Sequence, residues 1–454
     1  MAIQSLAPLL SNYNSISSQE SADSQSCEYQ GWRSSLSQVA EEIKKLYTIA
    51  LPMIFIGLLT YGKSLISMYF MGKLGKNELA GGCLSIGIAN ITGYSIISGL
   101  STGMEAISSQ AYGANMWVLM GQTLQRTIVI LLTACLPISL LWLYSEPILV
   151  FCGQEPVISS IAYSYLLFSL PDLVFQSIIN PLRIFLRTQN INLPLMLSAI
   201  IALTLHAPII LAFLVLYLQH TSVCNNTLQG WSDECYRELT PILRQAVSGC
   251  ISVCIEWWWY EIMIILSGLL FNAIEAVATM GIVIQATSLV YIFPSSFSQA
   301  VSTRVGNELG ANCPHNAKIS TWIALACAVF MSIFATFFMT AMRNTWGCIF
   351  TDDATILSLT AMSMPVVGLC EIGNWLQTTG CGVLRASTWP TLGANINFGS
   401  LYGVGLPVAL IMGFVLKMGL FGFWFGLLAA QVVCAIVMMV VVLRTNSIEL
   451  AVNT

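Results

Sequence analysis

Long apolar runs separated by short polar stretches follow one another from Lys45 to Arg444, at about 47–71, 81–106, 122–145, 158–182, 193–218, 246–270, 277–300, 319–341, 355–380, 392–415 and 418–443. Each approaches or exceeds the roughly 20 residues a helix needs to cross a bilayer's hydrocarbon. The runs are apolar on all faces instead of alternating, which argues for helices over the strands of a barrel. The pattern predicts an all-α polytopic membrane protein with about eleven spans.

The polar stretches divide the chain. Residues 1–40 are rich in Ser, Gln, Asn and Glu, with no basic start leading into an apolar core, and read as a disordered tail without a signal peptide. An N-terminal bundle is expected over 41–218, a polar inter-lobe segment over 219–243, a C-terminal bundle over 244–445 and a short tail over 446–454.

A self-comparison explains the two bundles. SSQAYGAN at 108–115 lines up with RVGNELGAN at 304–312, and FLRTQNINLP at 185–194 with VLRASTWPTL at 383–392. The offsets are 197 (Gly113 to Gly310) and 198 (Arg187 to Arg385), so two homologous helical halves with a solute path between them are expected. Gly306, Gly310 and the Gln110–Gly113 turn read as helix ends and hinges. The halves do not balance: the second fits two spans after Pro390, whereas the first fits only 193–218 before the polar segment 219–243. Positive charge adds a second count. Arg126, Arg183 and Arg187 share a side with Arg304, Lys318, Arg385 and Arg444 only if an even number of crossings precedes 246–270, and five precede it. A helix is expected to be missing there, because twenty-six residues cannot cross a ~30 Å core twice as helix.

Composition narrows the function. Hydrophobic residues make up 56% of 454 and charged residues 8%, and the net charge is −4. No basic patch invites nucleic acid, so the expected partners are lipid and a small organic solute, with a cytosolic partner conceivable for the N-terminal tail. Of 14 cysteines, Cys83, Cys135, Cys250, Cys254, Cys370 and Cys434 lie in apolar runs and read as packing residues. Three histidines and no Cys/His spacing leave no metal site, and no nucleophile–base arrangement suggests an enzyme. No cofactor is expected.

Against that background, acids within spans stand out, since an ionised carboxylate at mid-membrane costs about 2.5–3.5 kcal/mol and is tolerated when protonated, paired or wet. Glu256 and Glu261, in EWWWYE, are five residues apart and so face different neighbours. Glu371 and Asn374 share a helix face that Gln377 extends, with Gly373, Gly380 and Gly382 allowing close approach. An acid on each of two helices, flanked by amides including Gln285, suits a proton-coupled cavity; the alternative for each is a structural hydrogen bond. In the first half, Lys63 and Ser67 share a face, and Glu105 in the next span is the expected partner of Lys63. Trp257, Trp258, Trp259 and Tyr260 read as packing and interface aromatics.

MGKLGKNELAGGCLSIGIANITGYSIISGLSTGMEAISSQAYGA at 71–114, NPLRIFLRTQN at 180–190, EWWWYEIMIILSGLL at 256–270, STRVGNELGA at 302–311 and GVLRAS at 382–387 resemble the multidrug and toxic compound extrusion (MATE) family, in particular its plant members. The resemblance implies twelve helices in two six-helix lobes, with rocking of the lobes driving export against protons; sodium is the second choice. It matches Glu261 to the family's seventh-helix carboxylate. Ser67 stands in place of a bacterial aspartate. Asn374 stands in place of a plant tenth-helix aspartate, with Glu371 one turn earlier as its substitute. The missing helix corresponds to the family's sixth. The function expected is export of an organic solute, an organic anion or hormone-like compound, from the plasma membrane or an endomembrane such as vacuole, Golgi or late endosome. The competing readings are a non-transporting regulator, such as a shortened isoform, and an ion-conducting channel.

Overall fold

The computed structural model describes residues 36–74, 85–151, 156–191, 194–198, 239–271, 273–351 and 353–444. Ten long helices fill these segments: α1 (Leu36–Leu74), α2 (85–113, with a π turn at Asn90–Tyr94), α3 (Trp117–Leu143), α4 (Pro156–Thr188), α5 (Leu239–Ser267), α6 (Ala273–Gly310), α7 (Pro314–Ala341), α8 (Ala354–Ala386), α9 (390–415, with π turns at Gly399–Gly405 and Ile411–Val415) and α10 (Leu420–Arg444). The chain is a helical multi-pass membrane bundle, and among the described residues eight helices are long and apolar enough to span by themselves. The expected span 193–218 lies outside the described residues beyond Ser198, as do most of the polar segment 219–243, residues 1–35 and the C-terminal tail.

Helix ends repeat with the sequence. Trp117 and Pro314 open α3 and α7, and Thr188 and Ala386 close α4 and α8, at offsets of 197 and 198. The stop signals repeat too. Asn115 and Asn312 turn into the left-handed region at φ 59° and 57°, and Asn190 and Thr388 at φ 60° each. The residue after each turn donates its N–H back across the helix end: Met116 to Ala111 O (2.8 Å), Cys313 to Glu308 O (2.9 Å), Ile191 to Leu186 O (3.0 Å) and Trp389 to Leu384 O (2.9 Å). This closing turn satisfies carbonyls that would otherwise be orphaned, and asparagine tolerates the left-handed conformation better than most residues. Elsewhere Asp353 caps α8 by accepting from Thr355 N and Ile356 N.

One sequence boundary shifts. The first helix starts at Leu36, within the stretch read as tail to residue 40, because Val39 and Ile43 already pack on the C-terminal core. That helix also serves both lobes. Leu46, Ile49 and Ala50 belong to the large core built on α5–α10, while Met53 and Ile56 belong to the N-terminal core with Met104, Met120, Leu124 and Phe185. Glu42 anchors it: Arg304 donates to both of its oxygens (2.7 and 3.1 Å) and Ser320 Oγ donates at 2.5 Å.

Candidate functional site

The polar interior divides into a seam between the lobes and an acid cluster in the C-terminal lobe. At the seam, Glu105 on α2 meets Arg187 from the last turn of α4 at 3.0 Å and Arg385 from the last turn of α8 at 3.9 Å. The two arginines are the repeat-related pair, so equivalent groups of the two halves converge on one carboxylate. The position equivalent to Glu105 is Ser302, 197 residues on, which is fully buried and brings no charge. Arg187 also donates to Gln299, and Gln110 Nε2 donates to Ala386 O at 2.8 Å, so further hydrogen bonds cross from lobe to lobe. Arg187 is only 4% exposed, which makes its acid partner essential.

Glu105 is therefore held by arginines, and these take the role expected of Lys63. The side chains of Lys63 and Ser67 lie outside the described residues. The arginines were legible in the sequence as repeat equivalents and markers of sidedness; what the sequence did not show is that they share a single acid.

The acid cluster is built by α5, α6 and α8. Glu371 is 3% exposed and accepts from Asn374 Nδ2 at 2.9 Å, and Thr378 Oγ1 donates to Asn374 Oδ1 at 3.3 Å. Positions i, i+3 and i+7 share a helix face, so these three groups form one hydrogen-bonded line along α8. Half-buried Glu256 of α5 lies within electrostatic range of Glu371 and Arg385, and Tyr291 of α6 is close to it. Tyr260, one turn beyond Glu256, is in the field of both acids. The structure thus joins Glu371 to Asn374, puts Glu256 within electrostatic range of them, and adds Tyr260, Tyr291 and Arg385, which the sequence did not mark as part of this site.

The other predicted residues lie apart from this cluster. Glu261, 140° around α5 from Glu256, is half-buried, and no hydrogen bond or ion pair among the described residues reaches it. Gln377 does not extend the Glu371 line: it lies four residues after Gly373, whose Cα is pressed against Gln431 of α10, and so turns toward that helix. Gln285 receives the Tyr61 hydroxyl on its Oε1 at 3.2 Å, tying α1 to α6. Trp257 and Trp258 are exposed on the outer face, while Trp259 is buried edge-on to Tyr402, in keeping with packing and interface roles. Between the seam and the acids lies a small cleft lined by Thr102, Gly249, Ser252, Cys381, Arg385 and Gly393. Among the described residues no cluster of His, Cys, Asp and Glu could hold a metal ion.

Comparison with known proteins agrees with the doubled architecture. The MatE family model matches residues 52–212 and again 249–411, two matches whose starts are 197 residues apart. Protein DETOXIFICATION 48 of Arabidopsis thaliana is 49% identical over 460 aligned residues, covering 94% of this chain and 85% of the relative. Protein DETOXIFICATION 49 of the same plant is 48% identical, covering 90% and 87%. Among solved structures, the eukaryotic MATE transporter AtDTX14 superposes with a TM-score of 0.86 at 28% identity, covering 91% of this chain and 98% of that one. The Vibrio cholerae MATE transporter VcmN, at 15% identity and a TM-score of 0.77, shares the fold, with 90% and 98% covered. In the first alignment 94% of 454 residues is about 427, so about 33 of its 460 positions face no residue of this chain.

Proposed function

The chain belongs to the MATE transporter family, and from that membership we propose that it exports an organic solute across its membrane in exchange for protons, as its two lobes rock about the seam at Glu105. The observation that carries this reading is the buried Glu371 of α8, with Asn374 and Thr378 lined up behind it and Glu256 of α5 within electrostatic range. Two acids in a low-dielectric site cannot both ionise cheaply, so at least one exchanges its proton as the surroundings become wetter or drier. Exchange requires that proton and solute each weaken the other's binding. A solute that competes at this pair presents a cation or a hydrogen-bond donor. An organic anion or hormone-like acid would instead be drawn to Arg385. Glu261 is kept as a separate protonation site on the same helix, and protons are preferred to sodium as the coupling ion.

The positive-inside tendency would place the arginine-bearing helix ends on the cytoplasmic side, so the Glu105 seam closes the cytoplasmic end in this conformation. The membrane is a plasma membrane or an endomembrane.

A second reading, a non-transporting regulator, is favoured by one observation: the roughly 33 positions of its relative that this chain lacks. Purified chain in proteoliposomes under an imposed pH gradient separates the two. Solute flux that follows the gradient supports the exporter; flux equal to that of empty liposomes supports the regulator. Current without exchange would point to a channel.

A further inference from the structure

Cys250 and Cys254 sit four residues apart on α5, on one face of the helix. Their sulfurs are 3.9 Å apart. The pair faces the other lobe: a Cβ on Gly99 of α2 would meet Cys250 Cα at 2.5 Å, and the Cys254 thiol donates to Ser95 Oγ of α2 at 3.8 Å. Cys254 is buried, Cys250 half-buried, and the residues beside Cys250 (Gly249, Ser252 and Val253) line the cleft that also holds Thr102 and Arg385. The neighbouring cysteines Cys370 and Cys434 instead lie inside the core of the C-terminal lobe.

We propose that Cys250 and Cys254 form a dithiol site for trivalent arsenic, in which arsenite bridges the two sulfurs at the junction of α5 with α2. With bonds of about 2.3 Å, the length thiolates make to zinc and close to that of arsenic–sulfur bonds, sulfurs 3.9 Å apart subtend roughly 115° at a shared centre. The thiols need only a small rotation to close on a pyramidal three-coordinate atom. A four-coordinate metal ion lacks donors here, since no third Cys, His, Asp or Glu completes a cluster among the described residues. A cation would also approach beside Arg385, whereas arsenite is uncharged at neutral pH and enters the cleft without a charge penalty. The reaction is an exchange without redox change. Two thiols give up their protons, two arsenic–sulfur bonds replace two arsenic–hydroxyl bonds, two waters leave, and the third hydroxyl stays on arsenic beside Ser95. A bridge at this place would hold the two sulfurs of α5 fixed against α2. Its effect on transport rests on the reading above, but its formation does not.

The test therefore reads binding without transport. Full-length protein in detergent is treated with N-ethylmaleimide with and without arsenite, and alkylation of Cys250 is followed by peptide mass spectrometry. Arsenite is expected to slow alkylation of Cys250 at least about fivefold in the wild type, with reversal by excess 2,3-dimercaptopropanol. That protection should vanish in both Cys254→Ser and Cys254→Ala and persist in Cys381→Ser. Equal alkylation with and without arsenite, a Cys250 unreactive in the untreated wild type, or undiminished protection in the Cys254 variants would each overturn the proposal. If arsenite protects Cys250 while a pH gradient drives no flux, the dithiol site stands and the exporter reading fails.

Discussion

Gly113 and Gly310 hold equivalent places in the two halves, and each lies pressed against the other's helix. A Cβ on Gly113 would fall 2.0 Å from the Asn307 carbonyl oxygen, and one on Gly310 would fall 2.0 Å from that of Gln110. Gln110 and Asn307 are themselves equivalent at the same offset, so the contact is reciprocal about a pseudo-twofold axis. Both obstacles are backbone atoms of a helix, which cannot turn aside as a side chain could.

Gly310→Ala and Gly113→Ala should each separate α2 from α6. Overpacking of this kind costs about 1–3 kcal/mol, with a matching fall in melting temperature in detergent. Gly399→Ala, where nothing stands within 4 Å of the added carbon, is the control expected to leave melting within a degree or two. Equal melting of all three variants would show that the crossing is looser than described.

Glu105→Gln removes the one acid that Arg187 and Arg385 share. Arg187 is buried, so it is left as an uncompensated charge and the loss should approach the roughly 3–5 kcal/mol of a broken buried pair. Glu105→Leu combined with Arg187→Met takes both charges away and should recover much of that stability. A double variant as unstable as Glu105→Gln would assign the effect to Arg385 instead.

Glu42→Ala should detach the start of α1 from the C-terminal lobe, since Arg304 and Ser320 both donate to this carboxylate. A loss of about 2 kcal/mol is expected, the range for hydrogen bonds to a charged group. Limited proteolysis gives the check: cleavage near residues 36–50 should rise while cuts in α8 do not. Unchanged cleavage of that stretch would mean that apolar packing of Leu46, Ile49 and Ala50 holds the segment by itself.

The helical bundle and its doubling were legible because lipid demands long apolar runs and because the closing turns at Asn115 and Asn312 carry the same Gly-Ala-Asn letters. Glu371 and Asn374 were legible as a pair for the same local reason: three residues along a helix place them together whatever the rest of the fold does. Long-range partners were not. Nothing near Glu105 in sequence points to Arg187 and Arg385, 82 and 280 residues away. Helical phase alone could not tell that Gln377 turns toward α10, since a phase fixes relative directions and the neighbour on each side is decided by packing. The dual role of α1 was hidden likewise, because an evenly apolar helix gives no sign of which lobe it will join.

The central claim is that Glu371, with Glu256 within electrostatic range, carries the proton that drives export. It is tested most directly by comparing wild type, Glu371→Gln and Glu256→Gln in proteoliposomes under the same imposed pH gradient, with solute binding measured in parallel. The account predicts that Glu371→Gln still binds solute but loses at least about tenfold of its gradient-driven flux, with a smaller loss in Glu256→Gln. Gradient-driven flux at the wild-type rate in Glu371→Gln would contradict it.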